Sequence, residues 1–289
     1  MGYYTAINYW VLGGFEGKKS AAEAIRDASS MGLGGVELTF GDCLKTDITD
    51  KECAAIASEA RHIGVGLRTL ASGHYWGCSL SSPDRAERDK AVAFTLRYLE
   101  VAKALGAETV LVVPGAVDVA WDPSRPIVPY RAAWEHATDS LRRCLSAAEK
   151  LGVNIALENV WNKFLLGPFE FRQFIDQFGS ARIGSYFDIG NAVITGYPEH
   201  WIEILGDRIK AIHVKNFKRQ DCGGVLGGFG DDLLIGDVNY DAVKAQLAAI
   251  GFTGPATTEM IPFCRLPNMI LPDMDLARKT AAALKQLFP

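Results

Sequence analysis

Eight times along this chain a short apolar, strand-like run gives way to a segment with helical spacing. The runs are TAINYWV from Thr5, GGVELTF from Gly34, GVGLRTLAS from Gly64, ETVLVVPG from Glu108, NIALENV from Asn154, IGSYFDIGN from Ile183, IKAIHVKNF from Ile209 and PATTEMI from Pro255. Parallel strands need crossovers, and helices supply them, so eight such units with short connections predict an α/β fold closed as a (β/α)8 TIM barrel. An open doubly wound sheet would normally carry a Gly-rich phosphate turn after an early strand. The GGFEG segment near Gly13 lacks that GxGxxG spacing. The reading is one barrel domain over residues 1–289, with its active site at the carboxyl ends of the strands.

Helix punctuation supports the alternation. Lys18–Met31 opens with Ser20 as a cap, and Ala21, Ala24, Ile25 and Ala28 follow at helical spacing. Asp84–Leu105 stops at Gly106, Tyr130–Leu151 at Gly152 and Tyr240–Ile250 at Gly251, where a left-handed residue is expected. The last helix, Asp273–Leu287, follows Pro272. Three connections exceed what a turn requires: Ser72–Ser82, Ala116–Pro129 and Phe217–Val238. All leave carboxyl ends of strands, where long loops commonly cover a substrate.

Composition closes off other classes. A formal net charge of −4 with scattered Lys and Arg argues against a nucleic-acid footprint. No run approaches ~20 apolar residues, so no membrane span is expected. MGYYTAINYW lacks the pattern of a signal peptide, which points to the cytoplasm. Cys43, Cys53, Cys78, Cys144, Cys222 and Cys264 form no CxxC pair, and reduced thiols are expected.

Four side chains stand at the ends of the last four strands: Glu158 in NIALEN, Asp188 in SYFDIGN, His213 in KAIHVKN and Glu259 in PATTEM. Alternate residues share a strand face, so each points with Ala156, Tyr186, Ala211 or Thr257. A lone Asp there is usually a helix cap, and a lone His a hydrogen-bonded core residue. Four at one relative position of consecutive strands converge at the barrel mouth. Three carboxylates and an imidazole leave coordination room for water or substrate oxygens. That favours a divalent metal, Mn²⁺ first, with Mg²⁺, Co²⁺ or Zn²⁺ as alternatives, over a closed tetrahedral structural site.

The runs ALENVWNKF, YFDIGN, AIHVKN and TTEM resemble the sugar-phosphate isomerase/epimerase group of the xylose isomerase-like TIM barrels. GGVELTF and the end of LVVPG also look like that group's second and fourth strands. The resemblance implies that Glu158, Asp188, His213 and Glu259 are metal ligands, with Glu158 and Glu259 also catalytic acid/base residues. It implies a ketose or sugar phosphate isomerised or epimerised through an enediolate. Two carboxylates suit that chemistry, one removing a proton next to a carbonyl and the other returning one. A lyase or hydratase acting on a keto-sugar would begin with the same abstraction and is the alternative. The related apurinic endonucleases need several histidines. This chain has His62, His74, His136, His200 and His213, of which His213 ends a strand.

Substrate contacts are expected from Asn191, Lys215, Lys163, Arg219, His74 and Glu37. Asn191 lies three residues after Asp188, where several free-ketose epimerases have histidine, so DIGN looks closer to the pentulose-phosphate epimerases. Lys163, Lys218 and Arg219 stand on the loop face, where they could hold a phosphate. A lone barrel lysine such as Lys215 can also form a Schiff base, but a neighbouring metal set would then have no purpose. Trp76 is a lid candidate, and Trp10 and Trp161 are candidate walls. The expected partner is a small carbohydrate, and the expected assembly a homo-oligomer, dimer or tetramer.

Overall fold

The computed structural model describes residues 3–119, 121–219 and 227–289. Eight parallel strands close into a barrel in sequence order. They are β1 (Tyr4–Asn8), β2 (Gly35–Thr39), β3 (Thr69–Ala71), β4 (Thr109–Val112), β5 (Asn154–Glu158), β6 (Ile183–Asp188), β7 (Ile209–Val214) and β8 (Pro255–Thr258). β1 completes the ring by pairing with β8, Tyr4 opposite Pro255 and Ile7 opposite Thr258.

Helices occupy the connections: α1 (Tyr9–Gly13), α2 (Ala21–Ser30), α3 (Asp50–Ile63), α4 (Arg85–Leu105), α5 (Tyr130–Leu151), α6 (Pro168–Asp176), α7 (Ile189–Ala192), α8 (Pro198–Leu205), α9 (Tyr240–Ala249) and α10 (Met274–Leu287). Ser20 and Glu23 form a capping box on α2, and Thr49 and Glu52 one on α3. Gly64, Gly106 and Gly152 end α3, α4 and α5 in the left-handed conformation that only glycine adopts without strain. No helix among the described residues is long and apolar enough to cross a membrane. Cys43, Cys53, Cys78 and Cys144 form no disulfide; Cys222 lies outside the described residues.

Two runs differ from the sequence expectation. The first strand stops at Asn8 rather than continuing through YWV, because the Asn8 side chain accepts from the Trp10 amide and starts α1. The third run yields only Thr69–Ala71 as ladder, with an isolated bridge between Gly35 and Gly66. Tyr4 packs over that bridge. Its ring lies across both glycines, and a Cβ on Gly35 would stand 1.8 Å from its hydroxyl.

Candidate active site

The four strand-end residues meet at the mouth of the barrel. Glu158, Asp188, His213 and Glu259 are all buried, and one ligand atom from each lies within 4.8 Å of the others. Register explains how four strands reach one height. Glu158 sits opposite Tyr186, Asp188 opposite His213 and His213 opposite Thr257, so the set climbs along the sheet from β5 to β8. Strand tilt in a closed barrel converts that climb into a common level. Ala156, Tyr186, Ala211 and Thr257 fill the layer below.

His213 is the hub. Its Nε2 lies 2.7 Å from Glu37 Oε1, across the barrel on β2. Glu37 is wholly buried; it also accepts from Asn8 Nδ2 at 2.8 Å and from the Tyr186 hydroxyl. These contacts fix the imidazole plane and direct Nδ1 into the cluster. Nδ1 has no hydrogen-bond partner. Glu158 Oε1 and Glu259 Oε2 stand 3.7 Å away and Asp188 Oδ2 3.8 Å away.

Asp188 serves two structures at once. Its Oδ1 accepts from the Asn191 amide at 2.7 Å and caps α7, while Oδ2 faces the cluster and lies 2.8 Å from Lys215 Nζ. Asn159 accepts from the Asp188 amide at 2.7 Å and donates to its carbonyl at 2.9 Å, locking the ends of β5 and β6 together. Lys215 also donates to Glu259. Gly190 makes room for the lysine stem, since a Cβ there would stand 2.4 Å from Lys215 Cγ.

Three carboxylates in this buried space demand positive charge. Burial raises the Glu158 carboxyl to about 7; Glu259 and Asp188 push the same way, against His213 and Lys215. Burial also raises Asp188, while Lys215 and His213 oppose the shift. For His213 burial disfavours the charged ring, but Glu259 and Glu37 outweigh it and hold its pKa well above the usual value. Burial likewise disfavours charge on Lys215, and Asp188 and Glu259 outweigh it in the same way. A divalent cation answers the same demand. The donors fit one: two ligands facing each other across bonds of ~2.2 Å stand ~4.4 Å apart, and the unpartnered Nδ1 is turned toward three oxygens. The set could therefore hold a divalent metal.

Above the cluster opens a chamber of about 630 Å³. Glu158, Glu259, Lys215, Asn191 and His74 line it, with Trp10, Trp76 and Trp161. Asn191 is buried with Nδ2 on the Asn159 carbonyl at 2.9 Å, and its Oδ1 has no partner. His74 stacks on Phe94 at 3.8 Å between ring centroids.

Three expected substrate contacts lie elsewhere. Glu37 is under the cluster, with both oxygens engaged by protein groups, so it orients His213 rather than meeting a sugar. Lys163 points to the surface, 63% exposed, and pairs with Asp118 at 2.5 Å outside the chamber lining. Its positive φ of 54° turns the backbone outward after Asn162. Arg219 donates to the carbonyls of Val193 at 3.0 Å and Gly196 at 2.8 Å and covers the Tyr197 ring. It ties the loop after β7 to the one after α7. Residues 220–226 of the Phe217–Val238 connection lie outside the described residues.

Sequence reasoning missed Asn8, Asn159 and Tyr186 as supports and Asp42 and Trp121 as chamber wall. Asn8 ends β1 as Glu158 ends β5, so the strand-end rule applied to the first half would have found it. Asn159 follows a ligand directly. No local signal marks Tyr186, whose partner Glu37 is 149 residues away.

The comparisons with known proteins bear on the family and the fold. The family model described as xylose isomerase-like TIM barrel matches residues 25–287. The chain is 28% identical over 188 residues to the 2-epi-5-epi-valiolone 7-phosphate 2-epimerase of an Actinoplanes species, covering 63% of this chain and 62% of that protein. Its matches span 53% and 62% of the length of two curated relatives. Among solved structures, an L-ribulose 3-epimerase superposes with a TM-score of 0.80 at 17% identity, covering 99% of this chain and 94% of the other. A D-psicose 3-epimerase from Clostridium cellulolyticum H10 gives 0.75 at 19% identity, covering 99% and 95%. At such identities the structural likeness speaks for the fold, and the family match spans most of the sequence. The chain belongs to the xylose isomerase-like TIM barrel family.

Proposed function

We propose that this protein is a divalent-metal-dependent isomerase or epimerase of a ketose or sugar phosphate. The observation that carries the reading is the His213 Nδ1, buried, without a hydrogen-bond partner and ringed by three carboxylate oxygens at 3.7–3.8 Å. Glu158, Asp188, His213 and Glu259 would hold the ion, and an oxygen-rich set with one imidazole suits Mn²⁺. When bound, it would polarise the substrate carbonyl as a Lewis acid. Glu158 and Glu259 line the chamber floor and supply the proton chemistry. One takes the proton from the carbon beside the carbonyl, and the other delivers a proton to that carbon or its neighbour. Return to the opposite face of the same carbon is epimerisation; return to the adjacent carbon is isomerisation. Asn191, with a buried unpartnered Oδ1, would accept from a sugar hydroxyl. Curated and structural relatives named as epimerases support this outcome over elimination of water.

The test is solvent deuterium uptake into a panel of pentuloses, hexuloses and their phosphates, followed by proton NMR with Mn²⁺ present and after chelation. Exchange at a carbon next to the carbonyl is expected with Mn²⁺ and not after chelation. Glu158→Gln and Glu259→Gln should each slow it by about 10²-fold or more at full metal occupancy, since Gln keeps an oxygen but accepts no proton. Loss of a hydroxyl as water, or near-normal exchange in both variants, would overturn the assignment.

A further inference from the structure

The chamber is larger and more aromatic than a lone ketose requires. Its ~630 Å³ falls within the range of sites that enclose drug-sized ligands, ~300–1,000 Å³. A single pentose or hexose held on the acid cluster would leave most of that volume to water.

The space above the floor is walled by Trp10, Phe15, Trp76, Trp121, Trp161 and Phe263, delivered by the connections after β1, β3, β4, β5 and β8. The rings form an arc. Trp76 meets Trp121 edge-on at 4.6 Å, Trp121 meets Trp161 at 6.3 Å and Trp161 meets Phe263 at 6.1 Å. On the other side Trp10 and Phe15 stand 5.7 Å apart. Phe15 is 47% and Trp121 45% exposed, so two large rings are held open at the rim. Large rings left open at the rim of a concave, aromatic-lined chamber suit the binding of a ring face.

Some of the wall's polar groups are committed to the protein, while Trp161 Nε1 and Asn191 Oδ1 are buried without a hydrogen-bond partner. Asp42 accepts from Trp10 Nε1 at 2.8 Å and Ser72 Oγ donates to the Phe40 carbonyl at 2.7 Å. Lys215, the lysine in the described lining, is held by Asp188 and Glu259. The upper chamber therefore offers flat apolar ring faces, with a few polar atoms such as the unpartnered Trp161 Nε1 at their edges. Ring faces stack on such surfaces, whether aryl rings or the C–H faces of pyranoses.

We infer that the substrate is a ketose unit carrying a second ring at the end remote from its carbonyl, with that ring seated in the aromatic arc. The inference rests on the proton-transfer reading for the reacting half and adds a subsite for the other half.

The experiment uses the Mn²⁺-loaded protein and three ketoses: D-fructose, its 6-O-glucosyl derivative isomaltulose, and 6-O-benzyl-D-fructose. Calorimetry gives dissociation constants and deuterium uptake gives KM and kcat. At least one ring-bearing ketose should bind about tenfold or more tighter than D-fructose, and which one does so separates a glycosyl from an aryl occupant. Trp121→Ala and Trp161→Ala should lower the preference for that ketose over D-fructose by about fivefold or more. The loss should appear in KM with kcat retained, as expected for contacts made equally in ground and transition states. Equal binding of all three, or a preference untouched by both variants, overturns the subsite. Tighter binding of ring-bearing ketoses with no exchange in any of them leaves the subsite standing and removes the proton-transfer reading. Exchange of D-fructose without ring preference does the reverse.

Discussion

In the half of the barrel from β5 to β8, the chemistry stands on strand ends; in the half from β1 to β4, it stands mostly on loops. Glu158 and Asp188 are the last residues of their strands, His213 is next to last, and Glu259 immediately follows β8. Among the described residues, the first half contributes no cluster ligand. It supplies Trp10, Phe15, Asp42, Ser72, His74, Trp76 and Trp121, nearly all beyond their strands. A ladder holds a strand end on both sides, so donor atoms there keep sub-ångström relations, as proton transfer and metal binding require. A loop can change length and side chain without disturbing the barrel, so shape selection belongs there.

Glu37 breaks that division in an instructive way. It belongs to β2, yet it reaches across the barrel to His213. Glu37→Gln keeps the volume but removes the charge that supports the Nε2–H, and it should weaken Mn²⁺ binding by about 10- to 100-fold, as for other outer partners of metal-bound histidines. Trp121→Ala, on the loop side, should change Mn²⁺ affinity by less than about twofold. Competition with a chromophoric chelator measures both, with circular dichroism melts to confirm folding. Equal losses in the two variants would erase the distinction between a strand-borne centre and a loop-borne wall.

The same division governs what the sequence discloses. The eightfold alternation and the Gly stops after α4 and α5 report local backbone requirements, so the barrel is legible before any contact is known. The four strand-end residues are legible because strand periodicity fixes which face they take. Glu37 is harder. Its place at the end of GGVEL is visible, but whether it faces a sugar or a histidine depends on a partner 176 residues away. Lys163 and Arg219 mislead for a related reason. Their location on the mouth side is readable, yet long side chains on loops take whichever partner is nearest, here Asp118 for one and two backbone carbonyls for the other. Trp121 lies in a connection with no periodicity, and only the folded loop places it beside Trp76.

The loop side has its own anchor, and pH should release it. Glu87, in the first turn of α4, accepts from the Ser79 amide at 2.7 Å, from Ser82 Oγ at 2.9 Å and from Arg125. It joins the connection that bears Trp76 to the one that bears Trp121. Burial pushes its pKa up, but Arg125, Ser79 and Ser82 together hold it below the ordinary carboxylate value. A depressed folded pKa contributes stability that is present above the unfolded value, ~4.3, and is lost as pH falls through the folded one. Glu87→Gln should thus cost about 1–2 kcal/mol near pH 7, allowing for solvent screening. The gap to wild type should narrow as pH falls below ~4. Urea melts at several pH values, with hydrogen exchange of the Ser79–Ser82 amides, would show it. A gap independent of pH would mean that the carboxylate charge does not hold the two loops.

The smallest effect is expected at Lys163, and its smallness is informative. If the mouth selected substrates through an outer ring of basic residues, Lys163 would belong to it by position. The structure gives it a different neighbour: its ammonium pairs with Asp118 at 2.5 Å while the side chain stays 63% exposed. An exposed pair of this kind contributes ~0–1 kcal/mol to stability and is screened by salt. Lys163→Met should therefore leave the urea midpoint nearly unchanged and shift kcat/KM by less than about twofold, for a ketose and its phosphate alike. A selective loss of about tenfold for the phosphorylated substrate would show that Lys163 leaves Asp118 to meet it. Charge recognition would then be added at the mouth by a loop of the β5–β8 half, and shape alone would no longer account for selection.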